Sequence, residues 1–184
     1  MSVIIAIDQG TTSTRTVAYD EGLNVTHSEQ QEYLLQYPQD GWVEIEPSEL
    51  MQSVYATLDP VLSACSKIAG VGITNQRETT LVWDADSGKP IYNAIVWQDR
   101  RTSDKCLKLK EAGFEQIITS KTGLLLDPYF SATKIAWILD NVQGARASAN
   151  EGKLRFGTVD TFLLWQLSDG NIFKTDVTNA SRTN

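Results

Sequence analysis

Val3-Ile4-Ile5-Ala6-Ile7-Asp8-Gln9-Gly10-Thr11-Thr12-Ser13-Thr14-Arg15 runs into Thr16-Val17-Ala18-Tyr19 near the start of the chain. Val3 to Ile7 is a short, largely β-branched run and reads as a buried strand. Asp8 to Thr14 reads as a polar turn and Arg15 to Tyr19 as a second strand. Asp20-Glu21-Gly22 is a hairpin signal, and Asn24 to Leu35 offers a third, longer strand. The reading is β-β-β in antiparallel order, not the βαβ start of a dinucleotide fold.

The turn also carries chemistry. Gly10 lets the backbone bend tightly and approach a ligand closely. The N–H groups and hydroxyls of Thr11, Thr12 and Ser13 can surround phosphate oxygens with donors. Asp8, at the end of a buried strand, is placed to hold a hydrated Mg²⁺ beside them. No Gly-Lys-Ser/Thr is present and a strand follows instead of a helix, so this is not a P-loop. The plainer alternative is a hairpin turn whose hydroxyls only satisfy the backbone.

Further along, Pro47 suits a first helical position. Leu50, Met51, Val54, Tyr55, Leu58, Val61 and Leu62 form an apolar stripe behind it, which Pro60 is expected to kink or end. Ile68 to Thr74 reads as a buried strand and Thr79 to Trp83 as another. Between them lies Asn75-Gln76-Arg77-Glu78. Arg77 offers a fork of donors and Glu78 offers acceptors, a pair able to hold neighbouring hydroxyls of a polyol. Read locally, the same pair fits a solvated turn at least as well. Ile91 to Trp97 reads as extended. Helices are expected from Thr102 or Ser103, and from Ser131 acting as N-cap with Ile135, Ile138, Leu139 and Val142 on one face. Phe156 to Leu167 holds a short strand or turn and an apolar helix. Trp97 and Tyr129 can wall a small pocket, the tyrosine hydroxyl adding a hydrogen bond; alternatively they belong to the core or its rim. His27 reads as a surface residue. Asp40, Glu44 and Glu46 around Trp42 read as a solvated acidic loop.

Bulk composition narrows the classes. Hydrophobic residues are 41% and charged residues 21% of 184, ordinary for a globular protein. Sixteen basic and twenty-three acidic side chains give a net charge of −7 with no basic cluster, which argues against nucleic acid and anionic membranes as partners. Cys65 and Cys106 match no metal or redox spacing. No segment has a secretory leader's pattern or the length of a membrane span, so a cytoplasmic protein with reduced thiols is expected. Lys174 to Asn184 is polar, with no closing signal.

Several segments together resemble the FGGY carbohydrate kinase family, and within it the branch that phosphorylates glycerol. They are Asp8-Gln9-Gly10-Thr11-Thr12-Ser13, Tyr37-Pro38 with Gly41-Trp42-Val43-Glu44, and Gly72-Ile73-Thr74-Asn75-Gln76-Arg77-Glu78-Thr79-Thr80. They continue with Gly88-Lys89-Pro90-Ile91-Tyr92-Asn93-Ala94-Ile95-Val96-Trp97-Gln98, Thr122-Gly123-Leu124 and Asp127-Pro128-Tyr129-Phe130. Phe156-Gly157-Thr158-Val159-Asp160-Thr161 and Thr178-Asn179-Ala180-Ser181-Arg182-Thr183 complete the set. The resemblance implies an α/β fold of ribonuclease H-like, actin/hexokinase type, with a mixed five-stranded sheet and flanking helices. It implies transfer of the γ-phosphoryl of ATP, with Mg²⁺, to the 3-hydroxyl of glycerol. By the same resemblance Gly10, Thr11, Thr12, Ser13 and Arg15 meet nucleotide phosphates, Asp8 meets the metal, and Arg77, Glu78, Trp97 and Tyr129 form the glycerol site. The family's general base, the aspartate of a Gly-Asp-Gln segment, does not occur in 1–184. The expectation is therefore an amino-terminal kinase domain, 1–184, truncated at its C-terminal end, without the adenine-binding second domain and without catalytic base, inactive alone and a homo-oligomer when full length. A pentulose-type kinase of the same family and a non-catalytic polyol-binding module are the alternatives.

Overall fold

The computed structural model describes residues 2–183. In chain order its elements are β1 (Val3–Gln9), β2 (Ser13–Tyr19), β3 (Val25–Glu32), β4 (Glu44–Ile45), α1 (Pro47–Ala64), β5 (Ile68–Asn75), β6 (Thr80–Asp84) and β7 (Ala94–Ile95). They continue with α2 (Ser103–Glu111), α3 (Phe114–Thr122), α4 (Ser131–Asn141), α5 (Ala145–Asn150), β8 (Leu154–Thr158), α6 (Val159–Leu167) and α7 (Val177–Ala180). The chain divides into two compact units, one of Met1–Leu35 with Glu46–Gln76, the other of Gln36–Ile45 with Arg77–Asn184.

The first unit is a mixed sheet in the order β3-β2-β1-β5, antiparallel except for the parallel β1–β5 pair. The antiparallel β-β-β opening and the α/β class agree with the sequence. Among the described residues the sheet has four strands, one fewer than expected, because after Gln76 the chain leaves it and Thr80 to Asp84 joins a different sheet. Alternation along β1 buries Val3, Ile5, Ile7 and Gln9 on one face.

Helix α1 lies against β2 and β3. Its buried face is partly polar: besides Leu50, Val54, Leu58 and Val61 it carries Ser53 and Thr57. These meet Thr14 and Thr16 of β2 at 2.6 and 2.8 Å, so the buried hydroxyls satisfy one another. Pro60 does not end the helix, which continues to Ala64. Pro60 and Ala56 lie on its exposed side, where water can reach the carbonyl that the proline ring leaves unbonded. The expected burial of β5 is not observed: Val71 is 53% and Ile68 38% exposed. An unbroken apolar run suggests cover on both faces, but α1 spreads over the β2–β3 side of the sheet and leaves the β5 edge open.

In the second unit an antiparallel sheet in the order β4-β7-β6-β8 carries the helices. Val82, Ile95 and Ile138 form a buried cluster, with Tyr92, Trp137 and Leu154 packed around it. On the β8 side, Trp83 sits among Phe162, Trp165 and Phe173, with ring centroids 5.5–6.1 Å apart. Gly157 is needed there, since a Cβ would come within 2.6 Å of the Thr161 Cβ. Ser131 is the first helical residue of α4, not its N-cap; Phe130 takes that place in extended conformation. The acidic loop reading of Glu44 also fails: Glu44 is 3% exposed and lies in β4, held by Arg101, whose side chain is fully buried. No helix among the described residues is long and apolar enough to cross a membrane.

Candidate functional site

The first candidate group lies in the first unit. The turn is shorter than the sequence reading: Asp8 and Gln9 still belong to β1, Ser13 to Arg15 already belong to β2, and Asp8 pairs with Arg15 in register. Gly10 to Thr12 make the bend, closed by the Gly10 N–H donating to the Ser13 carbonyl at 2.9 Å. The Gly10 carbonyl is held from below. It accepts from the Tyr33 hydroxyl and from the side-chain amides of Gln9 at 2.8 Å and Gln76 at 2.9 Å. Tyr33 is buried, which pushes its phenol up to about 12 and keeps it a proton donor. Thr12 is exposed at the tip, and Thr11 and Ser13 are half-buried. Gln30 reaches the Ser13 hydroxyl at 3.2 Å, and Arg15, an exposed residue, donates from Nε to the Ser28 hydroxyl at 3.2 Å. Asp8 is exposed at the end of β1. No group of three or more acidic, His or Cys residues able to hold a metal occurs among the described residues. Asp8 offers one carboxylate here, so a hydrated Mg²⁺ at this place would have to draw its other ligands from water and phosphate.

The second candidate group lies in the second unit. Trp97 and Tyr129, 32 residues apart in sequence, meet edge to face with ring centroids 5.7 Å apart. Glu78, only 2% exposed, stands at φ +65, a left-handed conformation that costs a non-glycine residue energy. Its carbonyl accepts from Thr80 Oγ1 at 2.9 Å, Ser131 Oγ at 3.2 Å and Lys134 Nζ at 3.2 Å. Lys134 also donates to the Tyr129 carbonyl at 2.6 Å. The Glu78 carboxylate is paired with Arg182 Nε at 2.5 Å, and the Arg182 guanidinium lies 5.5 Å from the Tyr129 ring. Glu78 and Tyr129 are thus linked through Lys134 and Arg182, and Tyr129 meets Trp97. Arg77 is exposed, and the cation against the Glu78 carboxylate is Arg182.

Behind Trp97 the loop is anchored by a buried charge cluster. Arg101 bonds Glu44 Oε1 at 2.7 Å and Asp99 Oδ2 at 2.8 Å, and its guanidinium stacks 3.9 Å from the Trp42 ring and 4.6 Å from that of Trp137. Asp99 also accepts from the Val43 N–H at 2.6 Å, and Glu44 from Tyr92 and Asn93.

The sequence reading passed over Tyr33, Gln76, Lys134, Arg182 and the Arg101 cluster. A signal existed for Lys134. Ser131, Lys134 and Ile138 share one helical face, so a lysine stands in the stripe that Ile138 marks as buried. Arg182 gave none, since its partner is 104 residues away.

Comparison with known proteins places the fold and the family. The glycerol kinase of Alteromonas mediterranea is 59% identical over 98% of the chain, and that of Petrotoga mobilis 55% identical over 98%. The chain spans about 37% of the length of each. The crystal structure of Plasmodium falciparum glycerol kinase with ADP superposes with a TM-score of 0.93 at 38% identity, covering 100% of this chain and 37% of that one. Xylulose kinase from Lactobacillus acidophilus, at 24% identity and TM-score 0.87 over 100% of this chain and 36% of that one, shares the fold. The fold is that of the FGGY sugar kinases, the actin/hexokinase-like ATPase type. Residues 3–184 match the model described as "FGGY family of carbohydrate kinases, N-terminal domain", and the chain belongs to that family.

Proposed function

We propose that this chain supplies the phosphate-binding turn and the polyol-binding residues of an ATP-dependent kinase that converts glycerol to glycerol 3-phosphate. The observation that carries the reading is the buried Glu78 carboxylate held by Arg182, whose guanidinium lies 5.5 Å from the Tyr129 ring of the Trp97–Tyr129 pair. A small polyol needs acceptors for its hydroxyl protons, donors for its oxygens and an apolar wall for its carbons. Glu78 provides the first, Arg77 and the Tyr129 hydroxyl the second, and the Trp97 ring the third. The relatives at 55–59% identity bear the name glycerol kinase, whereas the xylulose kinase stands at 24%. That difference favours glycerol over a pentulose.

Bound ATP with Mg²⁺ would supply the phosphoryl group. The roles proposed for the chain are to hold phosphate oxygens with Gly10, Thr11, Thr12, Ser13 and Arg15, to meet the hydrated metal with Asp8, and to orient one glycerol hydroxyl with Glu78. Phosphoryl transfer depends chiefly on such positioning. The sequence contains no Gly-Asp-Gln segment to provide a base, so residues 1–184 purified by themselves are expected to show no glycerol-dependent ADP release.

The test is ADP release by the product of the complete reading frame, with glycerol and xylulose compared. Glycerol is expected to be the preferred substrate. Glu78→Ala is expected to lower kcat/KM for glycerol by roughly 10–100-fold, the loss of one hydrogen bond to a charged group, with KM for ATP unchanged. Equal turnover of wild type and variant, or preference for the pentulose, would overturn the reading.

A further inference from the structure

We infer that Lys134 is a positioning residue of the polyol site, a two-pronged brace that sets Glu78 against Tyr129; this rests on the reading of those two residues as polyol ligands. Lys134 has no exposed surface. A lysine there is costly to bury, and an apolar side chain of similar length would fill the same volume. Its ammonium is spent on two main-chain carbonyls, Tyr129 at 2.6 Å and Glu78 at 3.2 Å, and on no carboxylate at ion-pair distance among the described residues.

Those carbonyls belong to segments about fifty residues apart in sequence that must be held in fixed relation if one ligand is to touch both. The Glu78 backbone needs such support. At φ +65 it adopts a conformation that persists in a glutamate only when its surroundings over-determine it. Three donors do so, and two of them, Ser131 and Lys134, come from the first turn of α4. Tyr129 is fixed independently by its N–H donating to Asp127 Oδ1 at 2.9 Å. A compact ammonium fits between two carbonyls where a planar guanidinium does not, so arginine is not an equivalent replacement. Burial drives the ammonium down to about 7, against the pull of Asp99, Glu78 and Asp127. Either protonation state keeps N–H donors for both carbonyls.

The experiment uses residues 1–184, isotopically labelled, with glycerol as titrant. In Lys134→Met the Glu78 Cα and Cβ resonances are expected to leave the positions typical of a left-handed residue. Glycerol affinity is expected to fall by about tenfold or more while the far-ultraviolet circular dichroism is retained. In the wild type, the Lys134 Nζ resonance is expected to move with the same midpoint as Glu78 as glycerol is added, a readout that needs no variant should Lys134→Met not fold. Unchanged Glu78 resonances and affinity in a folded Lys134→Met, or a wild-type Nζ resonance indifferent to glycerol while Glu78 responds, would overturn the brace. If the wild type binds no glycerol at all, the polyol reading fails. The Glu78 resonances of Lys134→Met, or of Lys134→Leu should that variant not fold, then decide the brace separately: left-handed positions retained in the variant would overturn it.

Discussion

Replacing Arg101 by methionine is expected to destabilise the second unit by about 3–5 kcal/mol, the range seen when one partner of a buried ion pair is removed. In a chain of this size that lowers the melting temperature by about 6–20 °C. The Arg101 side chain is fully buried with Glu44 and Asp99, themselves 4% and 1% exposed at the side chain, so two carboxylates share one guanidinium. Without it, both carboxylates stay in a site from which water is excluded, and the Trp42 and Trp137 rings lose the guanidinium that both contact. The cost is chiefly uncompensated charge. Glu44→Gln in the Arg101→Met background should therefore recover part of the loss, and Arg101→Lys, which keeps charge but loses the fork to both acids, should fall between. Thermal and urea melts of the four proteins check this. A melting temperature for Arg101→Met within a few degrees of wild type would show that the cluster is not what anchors the loop behind Trp97.

The second large effect is a dependence of stability on pH that traces to Lys134. Burial holds its folded pKa at about 7 against an ordinary value of 10.5. Between these two values the unfolded chain binds more protons than the folded one, so stability rises with pH across that window. The penalty for a buried ammonium is present in full below about 7 and is gone above 10.5. At about 1.4 kcal/mol per pKa unit the relief amounts to roughly 3–5 kcal/mol. Groups whose folded pKa is raised oppose it at the alkaline end, among them Cys106 and Tyr33. Burial raises the Cys106 thiol above 9.0 and the Tyr33 phenol from 10.0 to about 12, and each costs stability once its unfolded counterpart ionises. The clean quantity is therefore the stability of wild type minus that of Lys134→Met, measured by urea melts at about pH 6.5 and about pH 9.5. The difference should shift in favour of the wild type as pH rises. No shift would mean that Lys134 is not buried as a titrating ammonium.

Much of the first unit was legible because local patterns decide it. The β-branched run Val3–Ile7, the glycine-threonine bend and the hairpin signal at Asp20-Glu21-Gly22 require no distant partner, and the three strands follow in the order read. The errors share a cause. Glu44 reads as a solvated acid until Arg101, 57 residues on, arrives to neutralise it. Ser131 reads as a cap because capping is the usual local use of such a serine, but here its hydroxyl is taken by the Glu78 carbonyl, 53 residues back. β5 reads as buried because cover depends on where α1 lies, which strand composition does not encode. The same holds for the candidate site. Arg77 and Glu78 were found as a charged pair, but the partition between them, one exposed and one buried against Arg182, is set by the segment from 176 to 183 folding back on α4, where the Ala132 N–H meets the Thr183 carbonyl at 2.9 Å.

A glycerol titration of residues 1–184 followed by amide and indole resonances tests the polyol assignment most directly. Saturable shifts, with a dissociation constant on the order of 1 mM, should be confined to Glu78, Trp97, Tyr129 and their sequence neighbours, and should vanish in Glu78→Gln. Shifts elsewhere in the chain with these three signals still, or the same binding curve from Glu78→Gln, would contradict it.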